Sequence, residues 1–66
     1  MKPVTERLPA ARRRRQLLDV AISVFAAHGY HQTTMNQVAE AAGVTKPVLY
    51  QHFASKQELF AEVLRD

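Results

Sequence analysis

Residues 34–53 read TMNQVAEAAGVTKPVLYQHF, two short apolar patterns separated by Gly43. In the first pattern Thr34 precedes the apolar residues and Gln37 follows three positions later, which is the spacing of a capping box at a helix N-terminus. This pattern predicts a helix of about two turns that begins after Thr34 and ends before Gly43. Its apolar stripe consists of Met35, Val38, Ala39 and Ala42.

The second pattern begins at Thr45, a residue suited to a helix N-cap. Pro47 is compatible with a helix here because its missing N–H would be unpaired in a first turn. We therefore predict a helix over residues 46–53, with Leu49 and Phe53 one turn apart on its buried side. Two short helices joined by a glycine turn match the helix-turn-helix unit, whose second helix enters the major groove of DNA, but an ordinary αα-hairpin has the same pattern.

The surface of the second helix favours the DNA-binding interpretation. At 100° per residue, the face opposite Leu49 and Phe53 meets base edges and the two flanks meet phosphates when the helix lies in a groove. No Asp or Glu occurs between Gly43 and Lys56, as an approach to phosphates requires. The opposite face carries Pro47, Val48 and Gln51, and the flanks carry Tyr50 and His52.

Two further helices flank this unit. The stripe of Leu18, Ala21, Ile22, Phe25 and Ala26 predicts a helix over residues 11–28 that Gly29 ends in a left-handed conformation, with Tyr30 folding back onto the core. Downstream, Ser55 and Glu58 repeat the capping-box spacing, and no alternating apolar run indicates a strand. The expected fold is all-α. The stripe of the last helix consists of Leu59, Phe60, Val63 and Leu64.

Length and composition exclude several classes of protein. A chain of 66 residues forms one small domain without a deep substrate cleft, and the absence of cysteine excludes disulfides and thiolate metal sites. With no P-loop, HExxH motif or paired carboxylates, we expect no enzyme, no cofactor and no metal site; His28 and His31 lack a third ligand nearby. No apolar run approaches the roughly 18 residues that a membrane span needs, and no export signal occurs. We therefore expect a cytoplasmic protein that does not bind membranes.

Positive charge is concentrated at the start of the chain. Residues 1–15 carry six cations and one acid, a net charge of +5, whereas residues 16–66 carry a net charge of −2. Residues 1–10 contain Pro3 and Pro9 and are expected to be a flexible basic arm. Together with Arg7, the arginine run would lie along the DNA backbone or enter an A·T-rich minor groove, or else it only solubilises the chain. The run consists of Arg12, Arg13, Arg14 and Arg15.

Residues 33–56, TTMNQVAEAAGVTKPVLYQHFASK, closely resemble the TetR family of transcriptional regulators. The resemblance rests on Ala-Gly-Val, Leu-Tyr-x-His-Phe and Ser-Lys at this spacing, and it extends upstream to FAAHGY at residues 25–30. It implies that residues 11–66 are a three-helix, homeodomain-like helix-turn-helix bundle plus the start of a fourth helix. Because the fourth helix has no stop signal, we expect the chain to be the head of a larger protein. The family's larger helical domain, absent here, dimerises and binds a small-molecule effector.

The resemblance also implies DNA-contacting positions, each of which has a structural alternative. Threonines at helix N-termini hold phosphate or only cap the helix, and Lys56 contacts phosphate or is a solvated surface lysine. Gln51 can form a pair of hydrogen bonds with the edge of an adenine base. The implied phosphate contacts are Thr34, Thr45, Tyr50, His52 and Lys56; the implied base contacts are Lys46, Pro47, Val48 and Gln51, with Asn36 as a further contact.

The function expected from these residues is that of a sequence-specific DNA-binding regulator of transcription, a ligand-responsive repressor with helix 46–53 in the major groove. Its homodimer would bind a palindromic operator on double-stranded DNA. The alternative is a basic helical module that binds an acidic protein or membrane surface through its arginine-rich start. That alternative leaves Tyr50, His52 and Lys56 without a role.

Overall fold

A computed structural model describes residues 9–65, which form four α-helices and no strand. The helices are α1 (Ala10–His28), α2 (Met35–Ala42), α3 (Lys46–His52) and α4 (Lys56–Arg65). The predicted all-α fold is confirmed. Ala10 is helical and so does not belong to the predicted arm; residues 1–8, with Arg7, lie outside the described residues, as does Asp66.

The buried face of α1 is rotated from the predicted one. Ile22 is 41% exposed and Ala26 is also exposed, so the prediction that both face the core is wrong. At 100° per residue the buried side chains span an arc of about 120° that faces both α2 and α4. Periodicity assigned Leu18, Ala21 and Phe25 to the core correctly, but it centred the stripe about 70° away from the observed buried face. The buried residues of α1 are Leu17, Leu18, Ala21, Val24 and Phe25.

The capping box that begins α2 is confirmed. The Gln37 N–H donates to Thr34 Oγ1 at 3.1 Å, and the Thr34 N–H donates to Gln37 Oε1 at 3.0 Å. Gly43 ends the helix in the left-handed conformation, with φ 73° and ψ 29°. All four predicted apolar residues of this helix are buried, which anchors α2 against α1.

The third helix, α3, has the predicted N-cap residue but not the predicted cap. Thr45 stands at the N-cap, yet its side chain makes no capping hydrogen bond. The helix ends at His52, one residue earlier than predicted, because Phe53 has extended backbone angles. Leu49 and Phe53 are both buried, as predicted.

At the start of α4, only one of the two hydrogen bonds of the predicted capping box forms. Ser55 Oγ accepts from the Glu58 N–H at 3.1 Å. The Glu58 carboxylate accepts from the N–H of Ala54 at 2.8 Å, one residue further back than the N-cap amide. Leu59 is buried, whereas Leu64 is 69% exposed and does not join the core.

Tyr30 folds back onto the core as predicted. Its ring lies 5.9 Å from that of Phe25 and 4.8 Å from that of Phe60, and the latter two rings meet edge to face at 5.1 Å. These three rings connect α1, the α1–α2 loop and α4. The loop begins at Gly29, whose φ of 83° is positive as predicted; its ψ of 161° is extended rather than left-handed helical.

Candidate nucleic-acid interface

The exposed face of α3 carries most of the residues predicted to read bases. Lys46, Pro47 and Gln51 are exposed, while Val48 is half-buried. Tyr50 is 45% exposed although its neighbour Leu49 is fully buried. Since Leu49 and Phe53 anchor the opposite side of the segment, α3 presents a mixed polar and apolar surface away from the core, with Lys46 at its start.

The N-terminus of α2 exposes two further predicted contacts, Thr34 and Asn36. Thr34 Oγ1 accepts the capping hydrogen bond from Gln37 and still has its own hydroxyl proton to donate. Capping and phosphate binding are therefore chemically compatible at this residue. The first-turn amides that face outward at a helix N-terminus add further donors for an anion.

Thr45 is exposed like Thr34, but its hydroxyl does not cap its helix. Both the donor and the acceptor capacity of that hydroxyl face the surface at the start of α3. His52, at the other end of α3, is half-buried, with its ring 6.2 Å from that of Phe53.

Lys56 has intramolecular partners that the sequence did not reveal. Its Nζ donates to the carbonyl oxygens of Tyr30 at 2.7 Å and Thr33 at 2.9 Å, and it lies 4.3 Å from the centroid of the Tyr30 ring. An ammonium group has three N–H donors, so two are used within the chain. The half-buried Lys56 is thus not the solvated surface lysine of the structural alternative.

Thr33 was not singled out from the sequence, and it is fully buried. Its hydroxyl donates to the Gly29 carbonyl at 2.8 Å and approaches the Val24 carbonyl at 3.4 Å. The carbonyl of the same residue accepts from Lys56. A hydroxyl residue four positions after the glycine that ends a helix is the local signal that could have identified it.

The arginine run does not act as a single patch. Arg13 donates to Gln16, and Arg15 pairs with Asp19 at 3.2 Å, both within α1. Arg14 instead points toward the core side, where it reaches α3 and α4. Arg12 is exposed. The four arginines therefore face different surroundings, and the run does not form one amphipathic basic face.

In the described part of the chain, α3 itself carries no carboxylate, and the acidic residues lie on the other helices. Asp19 is on α1 and Glu40 on α2, while Glu58 and Glu62 are on α4. Glu62 is paired with Arg14 at 3.1 Å. A phosphate backbone beside α3 would meet the side chains of Lys46, Tyr50 and His52 and no carboxylate of that helix.

Between residues 9 and 65, no group of three or more His, Cys, Asp or Glu side chains is placed to hold a metal ion. Among the helices of this same region, none combines the length and apolar character that a membrane crossing needs.

Comparison with known proteins agrees with this arrangement. A family model described as "Bacterial regulatory proteins, tetR family" matches residues 17–63. The chain is 56% identical over 59 residues to the HTH-type transcriptional activator FasR of Mycolicibacterium smegmatis, covering 89% of this chain and 27% of that protein. It is 44% identical over 66 residues to the HTH-type transcriptional repressor KstR2 of the same species, covering all of this chain and 32% of that protein.

A solved structure shows the same fold. The crystal structure of a TetR-like transcriptional regulator from Rhodococcus sp. RHA1 matches with a TM-score of 0.85 and 46% identity, over 89% of this chain and 32% of that one. The chain thus spans about a third or less of the length of these relatives. With a family match over most of its length and a fold shared with a solved TetR-like regulator, the chain belongs to the TetR family of bacterial regulatory proteins.

Proposed function

We propose that this chain is the DNA-binding head of a transcriptional regulator, with α3 lying in the major groove. The observation that carries the proposal is the surface of α3 away from Leu49 and Phe53, which exposes Gln51 beside Pro47 and the half-buried Val48 and has no carboxylate. Gln51 is the side chain on this face best suited to hydrogen bonding with a base edge. Lys46, Pro47 and Val48 read neighbouring bases, the last two through apolar contact with thymine methyl groups.

Phosphates on either side of the groove are held by Thr34, Thr45, Tyr50 and His52. Thr34 and Thr45 each stand at a helix N-terminus, where first-turn amides and a hydroxyl act together on an anion. Asn36 adds a contact from the first turn of α2. Lys56 retains one N–H for a phosphate after donating to Tyr30 and Thr33, so we retain it as a phosphate contact.

The whole regulator acts as a homodimer on a palindromic operator, with two copies of α3 in successive major grooves, ~34 Å apart or a multiple of that. The relatives are roughly three or more times as long as this chain, which leaves room for a dimerising domain that binds a small effector. Repression is the proposed effect, supported by the names of KstR2 and of the Escherichia coli acrEF/envCD operon repressor, whereas FasR is named an activator. Because the proposed target is DNA, we propose that the protein acts in the bacterial cytoplasm.

The test is a fluorescence titration of duplex DNA with the chain at several salt concentrations, comparing wild type with Tyr50→Phe and Gln51→Ala. Tyr30→Phe is the matched control, because it removes the same hydroxyl from a ring that packs between Phe25 and Phe60. We expect binding that weakens with salt, that falls with both α3 variants and that is unchanged by Tyr30→Phe, with helicity intact by circular dichroism.

The opposite result would favour the basic interaction module. If binding survives both α3 variants and is lost when Arg12, Arg13 and Arg15 are replaced by alanine, α3 is not the reading helix. The intrahelical partners of Arg13 and Arg15 speak against that module, because these side chains are already engaged on α1.

A further inference from the structure

Arg14 lies on the core-facing side of α1. It precedes Leu17 and Leu18 by three and four residues, a spacing that places the three side chains on one face of a helix, and both leucines are buried. The Arg14 side chain remains 40% exposed, so its guanidinium lies at the edge of the core, within reach of the neighbouring helices.

The partners of Arg14 come from α3, from α4 and from Phe53, the residue that follows α3. Its Nη1 donates to the His52 carbonyl at 3.3 Å, and its Nη2 pairs with Glu62 Oε1 at 3.1 Å. Its guanidinium carbon lies 4.6 Å from the centroid of the Phe53 ring. One side chain thus connects α1, the C-terminal end of α3 and α4.

These contacts suit the chemistry of an arginine. The His52 carbonyl is among the last four of α3, which have no partner within the helix, and the negative end of the helix dipole favours a cation there. A planar guanidinium presents its N–H donors in a fixed fork, so two of its nitrogens can engage a carbonyl and a carboxylate in defined directions. Phe53 is only 1% exposed, so the ring that supports the guanidinium is itself held in place.

The position of α3 depends on such contacts because the helix is short. It has seven residues and packs against α2. At its C-terminal end, α3 is connected to α1 and α4 by Arg14, which contacts His52, the residue next to Gln51.

We infer that Arg14 is a positioning residue for DNA reading: it sets the angle of α3 against α1 and α4, and it does not itself neutralise a phosphate. This inference rests on the proposed function of α3. The base contact of Gln51 requires that angle, since a displaced side chain loses its hydrogen-bond geometry.

The test compares Arg14→Lys and Arg14→Met with wild type, using two fluorescent duplexes of equal length. One is selected from a random-sequence pool by binding to the wild-type chain, and the other is the unselected pool itself. Arg12→Lys and Arg12→Met are the matched controls, because Arg12 belongs to the same run and is exposed. All titrations are made where circular dichroism shows each variant fully folded.

We expect Arg14→Lys to bind the selected duplex about tenfold more weakly than wild type, which is the loss expected when one well-formed base contact is broken. Its affinity for the unselected pool is unchanged because the positive charge remains. Arg14→Met also loses the preference for the selected duplex, with the same salt dependence as wild type. The Arg12 variants keep the preference.

Two results would overturn the inference. One is an Arg14→Lys variant that prefers the selected duplex over the unselected pool as strongly as the wild-type chain does. The other is a decrease of about 0.9 in the salt slope of Arg14→Met, as expected when one phosphate contact is lost. If the wild-type chain binds neither duplex in a salt-dependent manner, the proposed function itself fails, which is a distinguishable outcome.

A measurement on the wild-type chain covers the case in which the Arg14 variants do not fold. The guanidinium ¹⁵N signals of Arg14 are followed by NMR while the selected duplex is added. We expect them to stay in place as α3 signals shift, because the guanidinium is engaged by His52, Glu62 and Phe53. Shifts of the Arg14 guanidinium as large as those of α3 would identify a phosphate ligand instead.

Discussion

Lys56 Nζ donates a 2.9 Å hydrogen bond to the carbonyl oxygen of Thr33, which joins the first turn of α4 to the residue before the N-cap of α2. The same ammonium group donates to the Tyr30 carbonyl. A cation in the first turn of a helix opposes the helix dipole, and these two carbonyls offset that cost. Lys56 therefore has a structural role beside any contact it makes with DNA.

We expect Lys56→Met to lower the free energy of unfolding by about 1–2 kcal/mol, because the hydrogen bonds made by a charged donor are lost. Urea denaturation followed by circular dichroism measures the change. Lys46→Met is the matched control, and its exposed side chain predicts a change within about 0.5 kcal/mol. Equal midpoints for the two variants would contradict the structural role. A phosphate contact would appear separately, as a salt slope smaller by about 0.9.

The contact between Lys56 and the Tyr30 ring predicts an energetic coupling. In a double-mutant cycle of Lys56→Met with Tyr30→Leu, we expect a coupling free energy of about 0.5–1 kcal/mol, since the ammonium lies 4.3 Å from the ring centroid. Repeating the cycle with Tyr30→Phe, which keeps an aromatic face, should leave little coupling. Additive effects in the leucine cycle would show that the contact contributes nothing.

The two N-cap threonines should respond differently to alanine. Thr34→Ala removes a capping bond and should cost about 1 kcal/mol of stability, whereas Thr45 makes no such bond, so Thr45→Ala should leave the thermal midpoint nearly unchanged. Both substitutions should weaken DNA binding if both hydroxyls hold phosphate. Thermal unfolding and DNA titration of the same samples separate the two effects. A destabilised Thr45→Ala, or one with wild-type DNA affinity, would contradict this prediction.

The two positive-φ glycines should tolerate asparagine unequally. A Cβ at Gly43 or Gly29 would meet nothing within 4 Å, so the cost of substitution comes from the backbone. Gly43 is left-handed helical, a conformation that asparagine adopts readily, and Gly43→Asn should cost less than about 1 kcal/mol. Gly29 combines φ 83° with ψ 161°, a region nearly restricted to glycine, and Gly29→Asn should cost about 1–3 kcal/mol. Equal losses in urea unfolding would refute the distinction.

The helices could be predicted because their signals act over short distances along the chain. The capping box of Thr34 and Gln37 spans three residues, and the stripe of α2 repeats at three and four residues, so neither depends on the rest of the fold. Where tertiary packing intervenes, local prediction fails. Ile22 was assigned to the core from its spacing, yet the arc that α2 and α4 cover on α1 ends before it.

The residues of the candidate interface were predictable for the same reason. The face of α3 follows from helix geometry once Leu49 and Phe53 are recognised as buried, and the exposure of Tyr50 and Gln51 agrees with it. Thr45 was predicted correctly as the N-cap residue of α3, but the sequence did not reveal that its side chain makes no capping hydrogen bond.

The sequence alone was thus sufficient to predict the helices, their order and the outward face of α3, because caps, turns and apolar periodicity act within about four residues. The roles of Arg14 and Lys56 required the tertiary structure. Arg14 reaches a carbonyl 38 positions away, and Lys56 reaches carbonyls 23 and 26 positions away. A long cationic side chain has the same local pattern whether it extends into solvent or pairs with a distant helix end, so only the packing of α1, α3 and α4 distinguishes a DNA contact from an internal one.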